Sequence, residues 1–141
     1  MKINEELIMA IMKGNTDKVK ELVESGADVN TVLNERTPIH VAYLYRDSIN
    51  NPFDLIDYLL RKGADINAGD CSGTTALMMA VMDNEPLWIS YFMSKGADPN
   101  VKDNFGDTAF TIARRDYEDI VKLLKSETDF EGLIFKEDVN D

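Results

Sequence analysis

The chain has 141 residues, 44% hydrophobic and 29% charged, which suits one globular domain and excludes low-complexity and fibrous classes. No stretch nears the roughly 18 apolar residues of a spanning helix. Met1-Lys2-Ile3-Asn4-Glu5-Glu6 carries acids where a secretory leader needs a basic and then an apolar run, so a cytoplasmic address is expected. A formal net charge of −11 disfavours nucleic acid and anionic lipid as ligands and favours basic partners over long range, although it also serves solubility alone.

Along the chain, Leu7 to Val23 reads as a helix pair with no loop before it. Thr16, Asp17, Lys18, Lys20, Glu21 and Glu24 make its second helix polar, as a terminal unit of an array must be. Gly26-Ala27-Asp28-Val29-Asn30 closes the pair. The next loop, Thr31-Val32-Leu33-Asn34-Glu35-Arg36, has no glycine, so its turn must be built differently from the later ones. Thr37-Pro38-Ile39-His40 then opens a short helix that carries Ala42. Between Ala42 and Gly63 the chain is five residues longer than between Ala80 and Gly96, so Arg46-Asp47-Ser48-Ile49-Asn50-Asn51 lengthens the connection or adds a helical turn. Surface insertions cost little closure entropy, and loops also carry function, so neutral drift and a specific contact both stand open.

Asn51-Pro52 supplies a cap and a helix-opening proline for Phe53, Leu55, Ile56, Leu59 and Leu60. Gly63-Ala64-Asp65-Ile66-Asn67 repeats the first pentapeptide, and the turn-rich loop 67–74 leads to Thr75, a cap for a helix with Ala76, Leu77, Met79 and Ala80 on its buried face. Glu85-Pro86 opens the next helix, with Leu87, Trp88, Ile89, Phe92 and Met93 as its apolar side. Gly96-Ala97-Asp98-Pro99-Asn100 is the third copy, followed by loop 100–107, Thr108 and the helix of Ala109, Phe110, Ile112 and Ala113. Tyr117, Ile120, Val121, Leu123 and Leu124 form a last helix, after which Lys125-Ser126 replaces the expected glycine. The acidic tail 127–141 contains Phe130, Leu133, Ile134 and Phe135 and is expected to fold over the last repeat as a cap, with a partner-docking motif as the rival reading.

Gly63 and Gly96 lie 33 residues apart, as do Thr75 and Thr108. A helix–turn–helix unit at that period, with Thr-Pro-x-His at the head of a helix, resembles the ankyrin repeat. The resemblance covers roughly residues 5–126. It implies an all-α repeat solenoid of stacked helix–turn–helix units with projecting β-turn loops. One domain is expected over residues 1–126, with repeats near 3–30, 31–67, 68–100 and 101–126. Gly26, Gly63 and Gly96 are then left-handed helix ends rather than phosphate cradles. His40 takes the place of the family's histidine, which bonds to backbone and ties a neighbouring loop.

Residue chemistry gives little support for catalysis. A nucleophile needs a base within reach and a group to orient that base, and the chain has one histidine and one cysteine, Cys71. That lone cysteine allows no internal disulfide and agrees with a reducing compartment. Two nitrogen or sulfur ligands fall short of a structural zinc site, and Asp103-Asn104-Phe105-Gly106-Asp107 lacks the length and terminal glutamate of a calcium loop. No phosphate-binding fingerprint is present. Neither metal nor cofactor is expected, and the protein is read as not an enzyme.

The family's binding surface is the concave face, formed by loop tips and the exposed side of each first helix. By position it comprises Leu44, Tyr45, Met82, Asp83, Arg115 and Asp116 on helices. The loops add Val32, Leu33, Asn34 and Arg36, then Gly69, Cys71, Ser72 and Thr74, then Lys102, Asn104, Phe105 and Asp107. Leu33, Leu44, Tyr45, Met82 and Phe105 are apolar where a purely structural scaffold uses polar residues, and they form the expected binding strip unless neighbours or the insertion cover them. Trp88 is expected to be packing. The reading is therefore a monomeric, non-catalytic module that binds a protein, with a basic partner open to it. The alternative is a dedicated inhibitor or immunity-type protein that neutralises a basic toxin or enzyme.

Overall fold

The structure, a computed structural model, describes residues 2–116 and 118–125, without side-chain detail at 115, 116, 118, 119 and 123. Expectations for Tyr117, Leu123 and the tail 126–141 fall outside the described residues. Eight α-helices and one 3-10 turn make up the fold, and among the described residues there is no strand. They fall into two compact units, residues 1–65 and residues 66 onward, each described by itself.

The first unit contains α1 (Lys2–Met12), α2 (Thr16–Glu24), α3 (Pro38–Leu44), a 3-10 turn at Arg46–Ser48, and α4 (Pro52–Arg61). Helix α1 begins five residues before the Leu7 from which the apolar pattern starts, because the exposed residues Lys2, Glu5 and Glu6 belong to its solvent stripe. Its opposite face buries Leu7, Ile8, Ala10 and Ile11, and α1 packs on α2 and α3 while α3 packs on α4. Val19, Leu22, Ile39, Val41, Ala42, Leu55, Ile56 and Leu59 complete this core. Fully buried Ala42 removes side-chain bulk at the centre of α3, and burial of such apolar surface is the main stabilising term.

The second unit contains α5 (Ala76–Met82), α6 (Pro86–Ser94), α7 (Ala109–Asp116) and α8 (Glu118–Lys125). Helix α6 departs from expectation. Trp88, Ile89, Ser90, Tyr91 and Phe92 are all buried, whereas Leu87 is exposed. The indole of Trp88 meets Tyr91 edge-on at 5.8 Å and Phe92 at 5.6 Å, so the aromatic trio occupies the buried face and Leu87 is left outside it.

Helix ends follow local chemistry. Gly26, Gly63 and Gly96 adopt φ of 109°, 102° and 95°. In each case the glycine N–H bonds back three residues and the following alanine N–H bonds back five, as in Gly63 to Leu60 and Ala64 to Leu59, both 3.0 Å. That pair of bonds satisfies carbonyls the helix leaves open, and only glycine takes this backbone without strain. At the other end, the Thr37 hydroxyl accepts from the His40 N–H while His40 Nδ1 accepts from the Thr37 N–H at 3.3 Å. The buried imidazole thus acts as the acceptor of a capping box, which uses the neutral ring. Repeat four builds the same box from Thr108 and Thr111, whose hydroxyl accepts from the Thr108 N–H at 2.7 Å.

Asparagine carboxamides hold the turn after each second helix, Asn30 and Asn67 from the repeat before and Asn4 from within repeat one. Asn4 Oδ1 accepts from the Asp28 N–H, Asn30 Oδ1 from the Asp65 N–H, and Asn67 Oδ1 from the Asp98 N–H, each at 2.8 Å. Asn30 also donates to the Gly63 carbonyl at 3.0 Å. Asn4 places the first repeat in this ladder although it has no loop of its own.

Two measurements test these contacts. Asn30→Ala removes a donor and an acceptor from the joint between repeats one and two, and should cost about 1 kcal/mol, read as a lower urea midpoint at unchanged slope. Tyr58 is buried beneath Lys20, Arg61 and Lys62, and its hydroxyl donates to the Lys20 carbonyl at 3.4 Å. Burial, aided by the Glu24 carboxylate, raises its pKa above the ordinary value of 10.0, whereas Arg61 opposes the shift. The neutral phenol is the folded form, so its stabilisation is complete below pH 10 and is lost as pH rises from the unfolded through the folded pKa. Tyr58→Phe should flatten the alkaline fall of the urea midpoint as pH rises above the ordinary tyrosine value of 10.0.

Candidate functional site

The first helices of the repeats present the same surface in every described case. Ala10, Ala42 and Ala80 are buried at matching positions, and two residues further on stand Met12, Leu44 and Met82, which are 37%, 41% and 47% exposed. Lys13, Tyr45 and Asp83 follow, all exposed. Each first helix ends at this point, so its last turn carries a large apolar side chain into solvent. Met12 is absent from the surface expected from sequence because that surface is drawn from repeats two to four, whereas α1 exposes Lys2, Glu5, Glu6, Met9, Met12 and Lys13. Met9 is exposed as well.

The loop of repeat two is indeed built differently. Leu33 and Arg36 exchange both backbone hydrogen bonds, at 3.0 and 3.1 Å, around the two-residue turn Asn34-Glu35. Both turn residues lie in the left-handed region, at φ of 50° and 69°. This is the mirror-image turn that hairpins prefer, and glycine is the usual second residue. The turn holds Leu33 half-buried and leaves Val32, Asn34 and Arg36 exposed.

Loops three and four are built alike, bond for bond. The Asp70 N–H donates to the Thr74 carbonyl and Asp70 Oδ1 accepts from the Ser72 and Thr74 N–H groups. Asp103 does the same with Asp107 and Phe105. Cys71, Lys102 and Phe105 project from these turns, Phe105 with 81% of its surface open. Thr74 and Asp107 are half-buried and have structural work: the Thr74 N–H completes the Asp70 turn, and Asp107 Oδ1 accepts from the Thr111 hydroxyl at 3.3 Å. The side chain of Arg115 lies outside the described residues.

The insertion in repeat two is a packed element. Ile49 is buried, and a Cβ on Gly14 would come within 2.5 Å of the Ser48 carbonyl, so the inserted segment rests on the turn between α1 and α2. Arg46 stacks 4.2 Å over the Tyr43 ring and donates to the Tyr43 carbonyl at 2.9 Å, which commits its charge inside the unit. Beside the insertion lies an open polar cleft of about 380 Å³. Two of its carboxamide oxygens cap helices: Asn15 accepts from the Lys18 N–H and Asn51 from the Asp54 N–H. Among the described residues no three His, Cys, Asp or Glu side chains group to hold a metal ion, and no helix is long and apolar enough to cross a membrane.

A family model described as ankyrin repeats in three copies matches residues 4–70 and 44–132. The chain belongs to the ankyrin-repeat family. Its helical repeats and its fold class follow. Curated relatives match shorter stretches. The chain is 44% identical over 50 residues to an ankyrin repeat domain-containing protein 53 of Homo sapiens, covering 36% of this chain and 9% of that protein. It is 45% identical over 64 residues to alpha-latrocrustotoxin-Lt1a of Latrodectus tredecimguttatus, covering 44% of this chain and 4% of the toxin. It is 41% identical over 63 residues to the palmitoyltransferase Hip14 of Drosophila melanogaster, covering 45% of this chain and 9% of the enzyme. The chain therefore spans less than a tenth of each of these relatives, and the enzyme's and toxin's activities do not carry over. Ankyrin repeats are generally protein-interaction modules without catalysis.

Glu35 is the residue least suited to its backbone in the repeat-two turn. Glu35→Gly should raise stability by about 1 kcal/mol, because release of left-handed strain outweighs the added unfolded-state entropy, and a higher thermal midpoint would show it.

Proposed function

We propose that this ankyrin-repeat protein is a non-catalytic, cytoplasmic, monomeric module that holds a segment of a basic partner protein on the surface formed by its first-helix ends and loops. The observation that carries the reading is the register of Met12, Leu44 and Met82. A large apolar side chain recurs at one solvent-facing position in three repeats, where packing gives no reason for it. Exposed apolar groups that recur at one repeat position mark an interaction surface, and methionine adapts to varied partners. Tyr45 and Phe105 add aromatic anchors. The acidic charge of the chain, with Glu5, Glu6, Glu35 and Asp47 exposed in the first unit, supports a basic partner through steering. Leu33, Arg36, Cys71, Asp83 and Lys102 contribute contacts at the margin of the surface.

The test is a pull-down from native lysate with three baits: wild type, a Met12→Glu, Leu44→Glu, Met82→Glu variant, and Leu87→Glu as a control. Leu87 is as exposed as Met82 but lies on a second helix. Circular dichroism must show all three folded. A protein held by the wild type and the control, and weakened at least about tenfold by the triple variant, is the expected result. Equal capture by all three baits overturns the assignment of the surface. A single tight basic protein among the captured species would favour the inhibitor role within the same reading.

A further inference from the structure

Within the second unit, loop four is held on loop three by one residue. The Asn104 N–H donates to the Ser72 carbonyl at 2.9 Å, and its carboxamide donates to the Cys71 carbonyl at 3.0 Å. Gly73 makes the approach possible: a Cβ there would lie 2.9 Å from Asn104 Oδ1 and 3.0 Å from its nitrogen. Two carbonyls and a glycine at φ 78° thus form a socket for an asparagine in a turn.

Moved on by one repeat, the socket is present again. Cys71 and Ser72 become Asn104 and Phe105, Gly73 becomes Gly106 at φ 84°, and the turn beneath is the same Asp103-centred one. Among the described residues, nothing stands within 4 Å of the Cβ position of Gly106, and no donor reaches the carbonyl of Asn104 or Phe105. Phe105 occupies the position of Ser72 and is the most exposed large apolar residue described. We propose that the edge of loop four is a docking site for an asparagine-bearing turn of a partner polypeptide. The incoming asparagine donates its backbone N–H to the Phe105 carbonyl and its carboxamide to the Asn104 carbonyl, seats over Gly106, and sets an apolar neighbour on the Phe105 ring. The occupant follows from continuity with the joint already made between loops three and four. The site uses backbone groups of one loop and stands without the helix-end surface proposed above, with Phe105 the one residue in common.

A head-to-tail cyclised peptide copying residues 100–108 is the probe, since it carries the asparagine turn that fits the repeat-three socket. Titrated into the isotope-labelled full chain, it should shift the amide resonances of residues 104–107 with an affinity near the millimolar range expected of a few hydrogen bonds. A peptide with its central Asn replaced by Ala should produce no shift. Gly106→Asn in the protein, a residue that tolerates left-handed backbone, should fill the seat and abolish binding while the remaining spectrum is unchanged. Absence of shifts at about 5 mM peptide, equal shifts with the Ala peptide, or shifts confined to Met12, Leu44 and Met82 would each overturn the site. Loss of the helix-end surface in the pull-down would leave this titration unaffected, so the two proposals fail separately.

Discussion

An ankyrin repeat cannot bury both faces of its two short helices alone, so the joint between repeats is the constraint on which the rest depends. Here that joint is a side chain that speaks to backbone. Asn30 takes the Asp65 N–H and gives to the Gly63 carbonyl, at the point where a left-handed glycine has ended α4. The glycine turns the chain, the alanine N–H after it returns to α4, and the aspartate N–H is left for the asparagine of the repeat before. Because these groups are backbone, the helix surfaces remain free to vary. The same pattern recurs as Asn67 with Asp98, and within repeat one Asn4 takes the Asp28 N–H.

That division of labour explains where irregularity is tolerated. The repeat-two loop gives up its glycine and takes a two-residue turn with Glu35 in the left-handed region, yet Thr37 and His40 still cap α3 in the usual way. The five-residue insertion enters between α3 and α4, away from the asparagine joint, and is secured by Ile49 and the Gly14 turn. Loops three and four instead keep identical aspartate-centred turns, and there the loops themselves are joined through Asn104.

Function follows from what the joint does not consume. In repeats one to three the last turn of the first helix leaves Met12, Leu44 and Met82 in solvent, which is where the proposed surface lies. Residues that looked available by position are partly engaged by the fold: the backbones of Leu33 and Thr74 close their turns, and the Asp107 carboxylate accepts from Thr111. Arg46, by contrast, spends its charge on Tyr43.

The fold was legible in the sequence because its determinants are local and periodic: Gly-Ala-Asp before each loop, Thr before the first helix of repeats two to four, and Pro at the opening of α4 and α6 all act within one turn of chain. These fix helix ends and repeat length without reference to distant residues. The exposure of Met12, the outward turn of Leu87 and the seat over Gly73 were not legible. Each depends on which neighbouring side chain or carbonyl arrives from another helix or loop, and burial is a property of that arrangement rather than of the residue. The sequence by itself determined the repeats and their caps, because hydrogen bonding along the chain is short-range. Only the tertiary structure decided which apolar residues face water and how loop four is held on loop three, because those outcomes are settled by packing between repeats.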